Sequence, residues 1–128
     1  MIRTVTATTL LALSALAGCA AQQAQNGAIE QYPSMKQQIE NLYNANATEE
    51  DWFCPEVDIA SINKSQVVSE TPTQVKVAVT YNFEPSDQGP GGLGNHCRGF
   101  GTRYFTFDKG PGGQVSLVSM TGPQRSGP

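Results

Sequence analysis

The 128-residue sequence predicts a single α+β domain, with one N-terminal amphipathic helix packed on a meander of about four antiparallel strands. Two observations indicate this class. The spacing of apolar residues changes from a helical period of 3.6 to a strand period of 2 at about Glu56. The 13 glycines and 8 prolines favour many turns over long surface helices. We therefore expect two layers around one core, with the helix covering one face of the sheet.

The first 18 residues have the pattern of an export signal. Arg3 supplies one positive charge, and residues 5–17 form an uncharged run rich in Ala, Leu and Thr. A helix of that length rises about 20 Å, which is too short for the ~30 Å hydrocarbon core of a membrane. We expect a removable signal over residues 1–18, and an ordinary secretory signal cleaved near Ala17 or Ala20 is the alternative.

The tetrapeptide Leu16–Cys19 follows this run and consists of an aliphatic residue, two small residues and a cysteine. This order resembles the lipobox of bacterial lipoproteins, and the resemblance covers residues 1–19. It implies that Cys19 receives diacylglycerol, that the peptidase cuts before it, and that the new amine is acylated with a fatty acid such as palmitate. Several acyl chains hold a protein on a bilayer far more firmly than one.

The residues after Cys19 bear on the membrane that holds the chain. Neither Ala20 nor Gln22 is the aspartate that retains enterobacterial members of this class in the inner membrane. The resemblance therefore implies the periplasmic face of the outer membrane. The implied partners are the lipid bilayer, through acylated Cys19, and an envelope protein or peptidoglycan-associated component.

The charge balance excludes two kinds of partner. The chain has 8 basic and 11 acidic residues, and removal of Arg3 with the signal leaves seven against eleven. Nucleic-acid binding needs clustered Lys and Arg to neutralise phosphates, so we expect no nucleic-acid partner. A polybasic membrane patch is disfavoured for the same reason.

The three cysteines become an even pair once Cys19 is assigned to lipid. Cys54 and Cys97 then predict a disulfide in an oxidising compartment. Closing a loop of about 44 residues would stabilise the fold by about 4 kcal/mol in the chain-entropy model. The alternative is a metal site with the adjacent His96, but nothing in the spacing supplies a fourth ligand, so we expect neither metal nor cofactor.

The helix is predicted over Ser34–Asn44. Residues 19–31, the lipidated cysteine and a small polar stretch, predict a flexible tether, although their composition also permits an extension of the helix. Ser34 and Gln37 fit a capping box. Apolar residues then recur at helical spacing: Met35, Ile39, Leu42 and Tyr43. A single helical turn is expected over residues 48–51.

About four strands are predicted after the helix, over residues 57–68, 75–83, 98–108 and 114–120, and the first range fits either one long strand or two short ones. A change of phase in the first strand indicates a bulge near Ser61. The second has the clearest alternation, and its apolar face should lie on the helix. A meander places Cys54 and Cys97 at the same end of the sheet.

The globular domain is predicted over residues 32–121, followed by a polar tail over residues 122–128. The layout is similar to cystatin-like and NTF2-like sheets, which implies a small-ligand carrier or an enzyme as one alternative function.

No catalytic motif stands out in the sequence. His96 is the only histidine and has no neighbouring nucleophile signature, so we expect an exposed loop residue. Residues 89–94 are rich in glycine but lack the Lys-Ser/Thr ending of a phosphate loop. Five carboxylates lie close in sequence without calcium-loop spacing and predict a solvated acidic turn: Glu49, Glu50, Asp51, Glu56 and Asp58. We expect a non-enzymatic protein.

Residues 103–107 place aromatic side chains on both faces of the third strand. We expect the sheet's own curl to cover the second face. The alternative is an apolar surface for a partner, with Arg103 and Tyr104 as its anchors.

Residues 99–104 also resemble in part the Ser-Gly loop ending in Tyr of lipoprotein lysozyme inhibitors, although the Ser is missing and those proteins are all-β. That resemblance implies inhibition of wall-degrading enzymes. The leading hypothesis is a lipid-anchored periplasmic domain that binds another envelope component.

Overall fold

The computed structural model describes residues 27–50, 53–86 and 97–125. Leu16–Cys19, Asp51, residues 89–94 and His96 lie outside these ranges. The described elements, in chain order, are α1 (Gly27–Gln31), α2 (Met35–Asn46), β1 (Val57–Glu70), β2 (Gln74–Pro85), β3 (Gly99–Lys109), a short 3-10 turn (Pro111–Gly113) and β4 (Val115–Met120). The strands form one antiparallel sheet in the order β1-β2-β3-β4. The predicted α+β class and four-stranded meander are confirmed.

The core contains the alternating apolar side chains of β2. Its buried residues are Val75, Val77, Val79, Tyr81 and Phe83, as the alternation predicts. The same cluster includes Met35, Ile39 and Tyr43, which recur on one side of α2. The period of 2 in the strand and the period of 3.6 in the helix therefore supply apolar stripes to one core.

Both edges of the sheet are hydrogen-bonded to side chains of α2. The Gln38 amide donates to the Val115 carbonyl at 2.9 Å and accepts from the Leu117 N–H at 2.8 Å, both on β4. Nearer the other end of the helix, the Asn44 side-chain oxygen accepts from the Ile59 N–H of β1 at 2.9 Å. Since β1 and β4 are the two edge strands, the sheet curves towards α2, and polar side chains satisfy edge groups that would otherwise be unpaired.

β1 is one long strand with three irregularities. The register with β2 shifts between Ile59 and Ser61, which confirms the bulge predicted near Ser61. Two further shifts lie between Ile62 and Lys64 and between Val67 and Ser69. Each bulge increases the local twist, so this 14-residue edge strand bends and is a poor template for pairing with another strand.

The start of α2 differs from the predicted capping box. Ser34 has a left-handed backbone, with φ of 65°, and its side chain caps no backbone N–H. The Ser34 hydroxyl instead accepts from the Gln38 side-chain amide at 2.9 Å. The capping box is wrong because a left-handed Ser34 turns its side chain away from the first N–H groups of the helix.

The folded unit is larger than the predicted range of 32–121. Residues 27–31 form α1 rather than tether, because Ala28 is buried and the Ile29 N–H donates to the Ser65 hydroxyl at 3.2 Å. At the other end, the predicted tail is held against α2. The Arg125 N–H donates to the Asn46 carbonyl at 2.7 Å, and its guanidinium donates to the Asn44 carbonyl at 2.8 Å. Helix C-terminal carbonyls need such donors, and the tail supplies them.

The Cys54–Cys97 disulfide is confirmed, with the two Cα atoms 5.5 Å apart and both side chains buried. The expected helical turn before it is wrong. Glu49 and Cys54 exchange two backbone hydrogen bonds of 3.0 and 3.1 Å, and the Phe53 N–H donates to the Glu50 carbonyl at 3.1 Å. Glu50 has a left-handed φ of 52°. Glu49 and Cys54 are therefore joined by an isolated antiparallel bridge.

Candidate functional site

Arg103 lies inside the domain, not on its surface. β3 alternates so that Arg103, Phe105 and Phe107 occupy its buried face, and Arg103 is only 3% exposed. The prediction that Arg103 anchors a surface partner is therefore wrong. Its register position opposite Val79, a core residue, is the physical reason.

The guanidinium of Arg103 uses all five of its N–H donors. Nε donates to the Tyr81 hydroxyl at 2.8 Å, and Nη1 donates to the carbonyls of Thr121 and Pro123, both at 3.0 Å. Nη2 donates to the Thr48 carbonyl at 2.7 Å and to the Glu49 carboxylate at 3.2 Å. A buried cation tolerates desolvation when its partners are this complete.

Glu49 is the anionic partner of this arginine. Its Oε1 atom accepts from Arg103, from the Tyr43 hydroxyl at 2.7 Å and from the Tyr81 hydroxyl. The Glu49 side chain is 14% exposed. The prediction of a solvated acid is therefore wrong for Glu49, whereas Glu50 and Glu56 are exposed as predicted. Asp58 is half-buried and accepts from the Ser86 hydroxyl at 2.9 Å.

The two tyrosines of this cluster act as hydrogen-bond donors. Burial raises the pKa of Tyr43 and of Tyr81 above the usual value, and their hydrogen bonds to Glu49 raise both further. The Tyr43 ring also lies under the guanidinium, whose carbon is 5.2 Å from the ring centroid. Because both phenols stay neutral and the guanidinium is fully engaged, the cluster is suited to holding chain segments together rather than to proton transfer.

One polar atom of this region lacks a partner. Among the described buried side chains, the Thr48 hydroxyl makes no hydrogen bond, although the Thr48 backbone is bonded to Pro123 and Arg103. An unsatisfied buried hydroxyl costs stability.

The opposite face of the sheet carries exposed aromatic side chains. Phe100 is 79% exposed and Tyr104 is 42% exposed. The Lys76 ammonium lies 5.3 Å from the Tyr104 ring centroid, and the Thr80 and Thr102 hydroxyls are 3.1 Å apart. We call this surface the outer face. The expectation that curl covers it is wrong for the described residues, because the sheet curves towards α2 and leaves its convex side outward.

The segment 99–104 lies within β3 and pairs with β2 from Gly99, opposite Phe83, to Tyr104, opposite Ala78. It is therefore strand and not a protruding loop. The partial resemblance to the loop of lysozyme inhibitors therefore falls on strand residues in this structure.

Two open grooves lie on the surface. One, of about 380 Å³, is lined by Ala60, Asn82, Phe83, Glu84, Arg98, Gly99 and Phe100. Arg98 and Glu84 approach to 3.4 Å in it. The other, of about 390 Å³, is lined by Gly27, Ala28, Gln31, Ser65, Gln66 and Val67. Neither lies between α2 and the sheet, where a carrier would hold a small ligand.

Within residues 27–50, 53–86 and 97–125, no three His, Cys, Asp or Glu side chains are grouped as metal ligands. None of the helices in the described part is long and apolar enough to span a membrane. The comparisons with known proteins found no matching family model, curated protein or solved structure.

The Arg103 cluster is the feature that sequence reasoning missed. The sequence did contain one indication that Arg103 is buried. Arg103 lies two residues before Phe105 and four before Phe107, and residues at this even spacing share one face of a strand. A charged residue in a buried phase requires an acid and carbonyl groups nearby. Local sequence does not identify Glu49, which lies 54 residues away.

Proposed function

We propose that this chain is a lipid-anchored lipoprotein of the bacterial envelope whose folded domain binds another envelope component without catalysing a reaction. The observation that carries the proposal is the tetrapeptide Leu16–Cys19 after an uncharged run. Acylation of Cys19 would hold the domain on the periplasmic face of the outer membrane.

Two structural features support this location. The disulfide between Cys54 and Cys97 uses the two cysteines that remain after Cys19 is assigned to lipid. Disulfides persist in oxidising compartments such as the periplasm. Gly27, which lines a groove with Ser65 and Val67 of β1, also follows Cys19 by only eight positions, so the chain between the proposed anchor and the sheet is short.

The proposed architecture is two-layered, with α2 filling the concave side of a curled sheet in a cystatin-like or NTF2-like layout. Met35, Ile39 and Tyr43 of α2 are fully buried in the same cluster as β2 and β3 side chains. A helix that fills this space favours a binding domain over a small-ligand carrier, because a carrier needs a cavity there.

The outer face is the proposed surface for the envelope partner. Phe100 and Tyr104 lie on the same face of β3, four residues apart, and hydroxyl side chains such as Thr80 and Thr102 surround them. Exposed aromatic residues within a polar surround are typical of protein interfaces. Tyr104 thus remains a proposed anchor, and Phe100 replaces Arg103 as the second.

The anchor is tested by replacing Cys19 in the full chain. We expect Cys19→Ser to move the protein from the membrane pellet to the periplasmic fraction. The matched control, Cys54→Ser with Cys97→Ser, should stay in the membrane pellet because it keeps the lipobox. Membrane retention of the Cys19→Ser chain would refute the anchor.

The partner surface is tested by photo-crosslinking in intact cells. A benzophenone amino acid replaces Phe100 in one chain and Phe53 in a matched control, since both phenylalanines are 79% exposed. We expect a discrete crosslinked product from position 100 that Tyr104→Ala weakens. Equal products from both positions would refute the outer face as the binding surface.

A further inference from the structure

We infer that the edge of the sheet next to α1 rests on the phospholipid bilayer, while the disulfide end of the domain points away from it. The contacting surface comprises Gly27 and residues 66–68 of β1, and we call it the docking edge. This inference rests on the proposed lipid anchor at Cys19.

The first supporting feature is the position of Gly27, the described residue nearest to Cys19 in the sequence. Gly27, the first described residue, lines the same groove as Ser65, Gln66 and Val67. The Ile29 N–H donates to the Ser65 hydroxyl at 3.2 Å, which holds α1 on this part of β1. The point of attachment is therefore beside the docking edge.

The second feature is the length of chain between the lipid and the domain. Gly27 follows Cys19 by eight positions, so even a fully extended chain between them spans at most about 29 Å. β1 has 14 residues and is about 45 Å long. Because the attachment is shorter than the sheet, the docking edge stays near the membrane surface.

The third feature is the chemistry of that edge. Val67 is 36% exposed and Val68 is 48% exposed, at consecutive positions of an edge strand. The bulge between Val67 and Ser69 interrupts the ladder there, which disfavours pairing with a second copy. Apolar side chains next to a membrane attachment fit the boundary between headgroups and acyl chains.

The fourth feature is the distribution of charge. Near the docking edge and the β1–β2 turn, three basic side chains balance three acidic ones: Lys64, Lys76, Lys109, Glu30, Glu70 and Asp108. At the disulfide end, four described acidic side chains outnumber two basic ones: Glu50, Glu56, Asp58, Glu84, Arg98 and Arg125. An anionic bilayer surface repels the acidic end and tolerates the neutral one, which fixes the orientation.

The test places a tryptophan on each edge of the sheet. In the lipidated full chain, with Trp52→Phe as background, Val68→Trp probes the docking edge. Val118→Trp is the matched control, because Val118 is 50% exposed on β4 at the opposite edge. Both proteins are reconstituted in phosphatidylethanolamine and phosphatidylglycerol vesicles with brominated acyl chains, and vesicle flotation confirms attachment.

We expect brominated lipid to quench the emission of the Val68→Trp protein about twofold and to leave that of the Val118→Trp protein nearly unchanged, because quenching requires contact within the acyl-chain boundary. Equal emission changes in proteins that float with the vesicles would overturn the orientation and leave the anchor intact. A protein that does not float would overturn both. If the emission of the Val68→Trp protein instead depends on protein concentration in lipid-free detergent, a second copy covers the edge and the bilayer does not.

Discussion

Arg103 joins three segments that are distant in sequence. Its guanidinium donates to the Thr48 carbonyl after α2, to the Thr121 carbonyl after β4 and to the Tyr81 hydroxyl on β2. Gly122 packs against it, with φ of 92°, and a Cβ there would lie 2.8 Å from Nη1. The C-terminal segment can therefore cross the guanidinium only with a glycine at this position.

Replacing Arg103 tests this role. We expect Arg103→Met to lower the free energy of unfolding by about 3 to 5 kcal/mol, because Glu49 is left buried without its cationic partner. Adding Glu49→Gln should recover part of the loss. Urea denaturation measures both, and Lys36→Met, on an exposed ion pair with Glu40, should change stability by less than about 0.5 kcal/mol. A loss below about 1 kcal/mol for Arg103→Met would contradict the role.

Thr48 offers the opposite test, since its buried hydroxyl has no partner. We expect Thr48→Val, which is nearly isosteric, to raise the free energy of unfolding by about 1 kcal/mol by removing the unsatisfied group. Thermal unfolding measures the change. The control is Thr80→Val, which removes an exposed hydroxyl 3.1 Å from that of Thr102 and should give no gain. Destabilisation by Thr48→Val would show that the hydroxyl has a partner after all.

The β2–β3 pairing depends on glycines opposite large aromatic rings. Gly99 faces Phe83 and Gly101 faces Tyr81 across the two strands. A Cβ on Gly101 would lie 2.7 Å from Cζ of Tyr81 and closer still to its hydroxyl. The ring therefore lies over the glycine, and this position brings the Tyr81 hydroxyl to Arg103 and Glu49.

We expect Gly101→Ala to destabilise the domain by about 1 to 3 kcal/mol, because the new methyl displaces Tyr81 from its partners. Gly110→Ala is the control, since a Cβ there has only an ordinary contact of 3.7 Å with the Gln114 carbonyl. Chemical denaturation of both variants gives the comparison. Equal stability of the two variants would contradict this prediction, because it would mean that the Tyr81 ring can shift without a loss of stability.

Elements with strong local patterns were predictable from the sequence. The alternation of β2 predicts its buried face, and the phase change in β1 predicts its bulge at Ser61. The capping of α2 was not predictable, since it depends on the left-handed conformation of Ser34. The packing of the C-terminal tail against α2 was not predictable either. Arg125 is held there by carbonyls at the end of α2, about 80 residues earlier in the sequence.

At the scale of the whole molecule, three of the four tyrosines join separate elements through carboxylates. The Tyr32 hydroxyl donates to Glu70 at 2.6 Å, and this hydrogen bond raises the pKa of Tyr32 to about 12. Lys109 also contacts Glu70 at 2.6 Å, and together with Tyr32 it lowers the pKa of that carboxyl. Burial raises the pKa of Tyr43 and of Tyr81.

The raised pKa values of Tyr32, Tyr43 and Tyr81 predict that the folded state loses stability at alkaline pH. A raised folded-state pKa contributes stability that is fully present below the unfolded value near 10 and is lost as the pH rises above it. Each of the two buried tyrosines should remove about 1.4 kcal/mol per pH unit in that range. We expect absorbance of tyrosinate at ~295 nm to show three phenols ionising together with unfolding, followed in parallel by circular dichroism. Reversible ionisation of two or more tyrosines near pH 10 in the intact fold would contradict the buried cluster.

The proposed location of the molecule depends on residues 1–19 and not on the domain. The domain adds the paired cysteines, Cys54 and Cys97. The proposed partner surface was predictable only in part, because the sequence indicates Tyr104 as an anchor, whereas Phe100 has the local pattern of an ordinary strand residue. Their exposure depends on the direction in which the whole sheet curves.

The central claim is that Cys19 is the acylated first residue of the mature chain. Intact-mass spectrometry of the protein purified from its native membrane tests this most directly. We expect a chain that begins at Cys19 and carries the mass of a diacylglyceryl group and a further acyl chain. An unmodified chain that begins elsewhere, or one that retains residues 1–18, would contradict it.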